Sequence, residues 1–170
     1  MKLDLLLALA IAATLSGCRT SDEAPSTALG VATLITVSGA PAGTARLRAS
    51  GFETSLSISL SGMPKGLTAV QLHTTGSCEP PDFSSAGAPL NLMKGEHDPA
   101  AGSGADLSDL PAVIGESGTG TISVLLTGTP EEIAGRIFDA DGTALIVHAR
   151  AADSPTYSDV RIACGILVPG

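Results

Sequence analysis

The sequence predicts an all-β domain, an antiparallel sandwich or barrel. The chain of 170 residues has 20 glycines and 11 prolines but only 2% aromatic residues, which indicates one small, turn-rich domain packed on aliphatic side chains. Short apolar runs alternate with glycine-bearing turns along most of its length. Within one run, Leu56, Ile58 and Leu60 alternate with serines, a period of two that buries one face of a strand and leaves the other in water.

The predicted elements follow one another without an internal repeat or a second domain. Seven runs are predicted as strands: 30–37, 44–50, 54–60, 68–74, 120–128, 143–151 and 160–168. The stretch from Ser77 to Pro111 has no apolar period and is rich in proline and glycine, so we predict a long loop region of the kind that carries function.

The N-terminus has the features of an export signal. Lys2 precedes an apolar run from Leu5 to Leu15 that is too short to span a bilayer. The next residues complete a Leu-Ser-Gly-Cys box that resembles a bacterial lipoprotein cleavage site, with Cys18 as the lipidated first residue; an ordinary signal peptide is the alternative. We therefore predict a signal peptide at 1–17, a polar tether at 18–28 and the folded domain at 29–170. The localisation expected is the bacterial cell envelope, lipid-anchored and facing the periplasm or the exterior.

The chain has three cysteines, and an odd number in an exported protein needs an explanation. Lipidation of Cys18 provides one and leaves Cys78 and Cys164 to form a disulfide in an oxidising compartment; two unrelated buried thiols are the alternative. The formal charge of −8, with no cluster of Lys or Arg at either end, makes nucleic acid or an anionic membrane surface an improbable partner.

A family resemblance extends from Ala69 to the C-terminus. The segments "QLHTTGSC", "PDFSSAGAPLN", "EHDP", "ADLSDLP", "DADGTALIVHARAAD" and "RIACGIL" follow one another in the order found in bacterial copper-zinc superoxide dismutases. The resemblance implies a Greek-key β-sandwich or flattened barrel of about eight antiparallel strands with long loops. It also implies an exported enzyme that converts superoxide to oxygen and hydrogen peroxide, and a disulfide between Cys78 and Cys164.

The resemblance places four copper ligands, and only two of them are histidine here. An i, i+2 pair on a strand maps to Gln71 and His73, the third ligand maps to Pro89 and the fourth to His148. In the family the third histidine also bridges to zinc. The remaining zinc ligands map to His97, Ser103 and Asp106, with Ser103 placed approximately because this segment is shorter than the family's.

The groups that support the metals in the family are altered as well. The aspartate that links the two metal sites maps to Ala152, and the anion-guiding loop before Arg161 is shortened. Arg161 itself matches the arginine that holds superoxide beside the metal. Met93 is the one sulfur ligand that we considered as a substitute, and nothing in the sequence directs it towards the histidines.

Each retained residue has two interpretations. His73 and His148 are either partly buried neutral imidazoles hydrogen-bonded to the backbone or a weak two-histidine copper site. His97 and Asp106 either hold zinc with a borrowed ligand or remain without metal. Arg161 either guides the anion, if the protein is active, or clamps the loop.

The sequence therefore predicts an envelope lipoprotein with a superoxide dismutase-like domain, whose metal site is degenerate and whose activity is lost or weak. Copper and zinc are expected at low occupancy at most. The alternative is an active copper-dependent dismutase with an altered ligand set, which removes superoxide in the periplasm. No other catalytic motif is present in the sequence.

Overall fold

Eight antiparallel strands form one sheet in the computed structural model, which describes residues 25–90, 110–149 and 160–170. The strands are β1 Thr27–Thr36, β2 Pro41–Ser50, β3 Glu53–Leu60, β4 Gly66–His73, β5 Leu110–Ile114, β6 Gly120–Leu126, β7 Thr143–Ala149 and β8 Arg161–Pro169. Their order in the sheet is β5-β4-β7-β8-β1-β2-β3-β6. The two terminal strands β5 and β6 lie against each other, so the sheet curls into a nearly closed barrel. The predicted fold class is confirmed.

Alternation along the strands builds the interior of the barrel. In β3, Leu56, Ile58 and Leu60 are buried, whereas the serines between them face outward. Each fully buried leucine or isoleucine contributes about 1.5–3 kcal/mol relative to an exposed one. The period-two pattern in the sequence therefore fixes which face of each strand packs inward.

The β7 strand departs from this pattern because both of its faces are buried. Its inward residues join the barrel interior. On its outer face, Ala144 and Ile146 pack with Phe83, Ala86 and Cys164 in a second cluster. The loop between β4 and β5 thus covers the outside of the barrel over β7 and β8.

One strand and one helix were not expected from the sequence. The prediction of a loop through Pro111 was wrong at its end, because β5 begins at Leu110 and pairs with β4. β5 is only five residues long and contains a proline, which a terminal strand tolerates because the edge away from β4 needs no N–H donor.

The helix α1, Pro130–Ile137, lies between β6 and β7. Thr129 caps it: its hydroxyl accepts from the Glu132 N–H and its own N–H donates to the Glu132 carboxylate. Ile133 and Ile137, four residues apart, are its buried residues. In the three described ranges no helix has the length and apolar character needed to cross a bilayer.

The start of β1 fixes where the chain enters the barrel. β1 begins at Thr27, two residues inside the range predicted as tether. Ser26, just before it, accepts hydrogen bonds from the Arg48 guanidinium on β2. The predicted signal peptide and the lipidated Cys18 lie outside the described residues and stay predictions.

Candidate functional site

The candidate site lies on the outer face of β4 and β7, beneath the loop that follows β4. Leu72 points into the barrel, so Gln71 and His73 on either side of it share the outer face. In the antiparallel register His73 lies opposite Ala144, and His148 lies opposite Ala69. The two histidines therefore occupy one face of adjacent strands, on either side of the pair formed by Gln71 and Ile146.

The two imidazoles are in direct contact. Their Nε2 atoms are 3.4 Å apart, and the rings lie nearly parallel, with centroids 5.6 Å apart and planes inclined by 20°. Both side chains are buried, His73 with 1% and His148 with 6% of its surface exposed. The structure thus brings together the two histidines that the sequence singled out as a copper pair.

Hydrogen bonding fixes the tautomer of His73. Its Nδ1 lies 2.9 Å from the carbonyl oxygen of Gly87, which can only accept, so Nδ1 carries the proton. Burial lowers the pKa of the His73 imidazole below its ordinary value of 6.5, and the charges of Arg161 and His148 lower it further against the opposing hydrogen bond to Gly87. In the neutral ring the lone pair is on Nε2, which faces His148. It can accept a hydrogen bond from that imidazole or bind an ion.

Arg161, the first residue of β8, holds the loop against the site. Its Nη1 donates to the Phe83 carbonyl at 2.6 Å and its Nη2 to the Gly87 carbonyl at 3.3 Å. Phe83 itself has a left-handed backbone, with φ 54° and ψ 25°, at the start of the 3₁₀ helix Ser84–Ala86. The Gly87 oxygen therefore accepts from both His73 and Arg161, which ties the imidazole to the guanidinium through one backbone group.

A disulfide fastens the same loop at its other end. Cys78 and Cys164 are bonded, with their Cα atoms 5.7 Å apart, so the pairing implied by the family resemblance is present. Backbone hydrogen bonds from Thr74 to Ala88 and from Thr75 to Ala86 add a strand-like seam beside β4. The loop that carries the Gly87 carbonyl is therefore held by the disulfide, by the Arg161 hydrogen bonds and by backbone hydrogen bonds together.

Pro89 lies directly opposite His73. The two residues form an antiparallel bridge next to the end of β4. The third copper ligand of the family maps to this position, but proline has no side chain that can bind a metal. Gln71, which the family resemblance predicts at the first ligand position, is partly buried and has an interaction partner of its own.

Several of the predicted site residues lie outside the described ranges: Met93, His97, Ser103, Asp106 and Ala152. Their roles, including zinc binding by His97 and Asp106, stay predictions. Among the described residues, no group of three or more His, Cys, Asp or Glu side chains could hold a metal ion.

The fit of a copper ion to these residues is partial. Two imidazole nitrogens 3.4 Å apart are close enough to bind the same ion, and imidazole is a ligand that suits copper. The other two positions offer an amide and a proline, so the described donors do not supply a four-imidazole copper set.

A curled eight-stranded antiparallel sheet with paired imidazoles under a disulfide-fastened loop defines the class of protein, a β-barrel of the dismutase type. The model of the copper/zinc superoxide dismutase family matches residues 41–167, and the chain belongs to this family.

Relatives include both enzymes and a dismutase-like protein. The chain is 32% identical over 123 residues to a Cu-Zn superoxide dismutase of Caulobacter vibrioides, covering 66% of this chain and 70% of the relative. It is 33% identical over 114 residues to the superoxide dismutase-like protein YojM of Bacillus subtilis, covering 62% and 57%. Among solved structures, a double mutant of a dismutase-like protein from Bacillus subtilis, with a tyrosine and a proline each replaced by histidine, matches with a TM-score of 0.63. That match has 28% identity and covers 84% of this chain and 99% of the other.

Two functional groups of the site were not found from the sequence. They are two backbone carbonyls. The carbonyl of Phe83 accepts a hydrogen bond from Arg161, and the carbonyl of Gly87 accepts from both Arg161 and His73. Backbone carbonyls have no residue-type signature, and the only available signal was the "DFSSAG" segment that contains both residues. The sequence therefore located the loop without revealing its contacts.

Proposed function

We propose that this protein is an envelope lipoprotein whose superoxide dismutase-like domain has lost efficient dismutase activity and binds copper weakly, through His73 and His148. The observation that carries the proposal is the position of Pro89, opposite His73 where the family's third imidazole belongs. It supports a site with two imidazoles in place of four.

The ligand chemistry supports this proposal. A copper ion that cycles between two oxidation states needs donors and a geometry that both states tolerate, and the amide oxygen of Gln71 is a poor donor for Cu(I). Proline supplies no donor at all. His73 and His148 can satisfy each other through their Nε2 atoms, so the pair does not need an ion to avoid an unpaired buried polar group.

The contacts of Arg161 support a structural role for this residue. Its two donors to the Phe83 and Gly87 carbonyls hold the loop, which favours the clamp over the anion guide. A guanidinium has five N–H groups, so clamping and anion binding are compatible in principle.

One observation favours an active dismutase as the second candidate. The imidazole nitrogens face each other at a separation that one ion can bridge, and Arg161 donates to the same Gly87 carbonyl as His73. An active site of this kind requires at least one further ligand. Met93 and His97 are the first residues to test.

The decisive measurement is metal content together with superoxide turnover. Protein exported and folded with copper and zinc present should hold far less than one copper per chain and show little catalysed decay of superoxide in stopped-flow experiments. Stoichiometric copper with rapid turnover would contradict the proposal and support the active dismutase. The variants Met93→Leu and His97→Ala would then identify the missing ligand.

Introducing histidines at positions 71 and 89 tests the same proposal by a gain of copper affinity. Gln71→His with Pro89→His should raise copper affinity by about tenfold or more, since even outer partners of a metal site have effects of this size. The matched control is Gln71→Asn with Pro89→Ala, which changes the same positions without adding a donor. The crystal structure of the Bacillus subtilis double mutant, which gained two histidines and shares this fold, supports the feasibility of the experiment. Equal copper affinity of the two double variants would contradict the proposal.

Lipid anchoring is part of the proposal and is tested separately. Cys18→Ser should move the protein from the membrane fraction into a soluble or unprocessed pool. Retention of this variant in membranes at the level of the wild type would contradict the anchor.

A further inference from the structure

The β2–β3 hairpin carries the most exposed large apolar side chain of the described residues. Phe52 is 88% exposed at its tip, between Gly51 and Glu53. Gly51 has a φ of +60°, and a Cβ on it would meet nothing within 4 Å, so the tip projects into open space. Single exposed apolar residues are common, so the exposure of Phe52 indicates a contact site only together with the features that lie beside it.

The chain enters the barrel next to this tip. Thr27, the first residue of β1, pairs with Ala49 just before the turn. Ser26 is fixed to β2 by Arg48, whose Nε and Nη2 lie 3.0 and 2.8 Å from the Ser26 hydroxyl. The tether from Cys18 therefore ends at the hairpin itself.

The tether is too short to let this end of the barrel move far from an anchored Cys18. Seven residues lie between Cys18 and Ser26, so the chain takes eight residue steps from one to the other. Eight steps cover at most about 26–29 Å. An acyl chain on Cys18 would hold Phe52 near the headgroups. The effective concentration of Phe52 at the bilayer is then high, so that even an intrinsically weak contact forms.

The opposite end of the barrel lies a full strand away from Phe52. β3 runs from Glu53 beside the tip to Leu60, which pairs with Gly120 at the start of β6. Eight residues of strand span about 25 Å. The turn 115–119 between β5 and β6 is thus roughly a full strand length from Phe52.

Charge contributes little to such a contact. Arg46 and Arg48 face outward on β2, but Glu53 lies at the tip and the whole chain has a formal charge of −8. An anionic surface would attract these two arginines, but it would repel Glu53 and the net negative charge of the chain. A phenyl ring that enters the boundary between headgroups and acyl chains gains from the burial of its apolar area and needs no such attraction.

We propose that Phe52 forms a second membrane contact, in which the β2–β3 hairpin rests its tip in the interface of the bilayer that holds the lipidated Cys18. This inference rests on the lipid anchor proposed above. The contact sets the orientation of the domain, with the hairpin against the bilayer and the β5–β6 turn directed away from it.

Tryptophan fluorescence tests the contact, because the chain has no tryptophan of its own. The full-length lipidated protein, with Phe52→Trp, is reconstituted into phosphatidylcholine vesicles with and without brominated acyl chains. Its emission should shift to the blue and be quenched by the brominated lipid. The matched control is Val113→Trp, a residue that is 70% exposed on β5 near the far turn, and its emission should change in neither respect.

The outcomes separate the contact from the anchor. Mass spectrometry of the N-terminal peptide establishes acylation of Cys18 in the same sample. If the acylated Phe52→Trp protein is no more quenched than the Val113→Trp protein, the contact is overturned and the anchor stands; an unmodified Cys18 overturns both. Raising the salt concentration from about 0.1 to about 1 M should leave the quenching unchanged. Its loss would show attraction by charge and overturn a contact made by the aromatic ring.

Discussion

Reduction of the Cys78–Cys164 disulfide should strongly destabilise the domain, and it does so without substitution of any residue. The bond joins residues 86 apart in sequence, and in the chain-entropy model closing a loop of this size contributes about 4–5 kcal/mol. Small domains are stable by only about 5–15 kcal/mol in total. The disulfide therefore accounts for a large part of the free energy of unfolding.

Urea unfolding of the wild type under oxidising and reducing conditions measures this contribution without creating a cavity. With a slope of roughly 2 kcal/mol per molar urea, the unfolding midpoint should fall by about 2 M. Cys78→Ala with Cys164→Ala should lose at least as much, because Cys164 is fully buried against Phe83 and its truncation also removes packing. A midpoint shift on reduction below about 0.5 M would refute the argument that the loop depends on this bond.

Three further predictions concern the clamp, the buried imidazole and the helix cap. Arg161→Lys should lower stability by about 1–3 kcal/mol in urea unfolding, because an ammonium cannot span the Phe83 and Gly87 carbonyls as the planar fork does; a variant as stable as the wild type would contradict the clamp. Burial lowers the pKa of His73 in the folded state, so the unfolded chain takes up its proton first and stability should be complete above pH 6.5 and fall as the pH drops below it. Unfolding with a chelator present between about pH 7.5 and 5.5 measures this slope, which His73→Gln should flatten, and a wild type that gains stability on acidification would show the sign to be wrong. Thr129→Ala should cost about 1 kcal/mol by uncapping α1, with Thr129→Ser as the control that keeps the hydroxyl; equal stability of the two variants would argue against the capping box.

The strands could be predicted wherever one face is buried and the other is wet. Leu56 and Ile58 show this pattern clearly, because serines separate them. The period-two rule failed at β5, where five residues and a proline gave too little signal, and a period of two carries no information about helices. The sequence does contain a signal for the start of α1 that the strand pattern could not show: Thr129, Pro130 and Glu132 form the pattern of a helix N-terminus.

The candidate site was predictable in its side chains and not in its backbone. The family resemblance paired His73 with His148 and placed Arg161 nearby, and the structure brings all three together. The oxygen that connects them belongs to Gly87, and its position depends on how the whole loop closes. Only long-range contacts decide that, so no local pattern in the sequence could reveal it.

The same backbone oxygen gives the buried imidazole of His73 a partner within the protein. Gly87 fixes the proton on His73 Nδ1, and the remaining lone pair faces the imidazole of His148. Arg161 and the disulfide hold the loop that carries this oxygen. The polar groups that would otherwise need an ion therefore have partners within the protein, and a chelator should leave the free energy of unfolding nearly unchanged. A domain stabilised by a bound metal would instead lose the binding free energy of that metal.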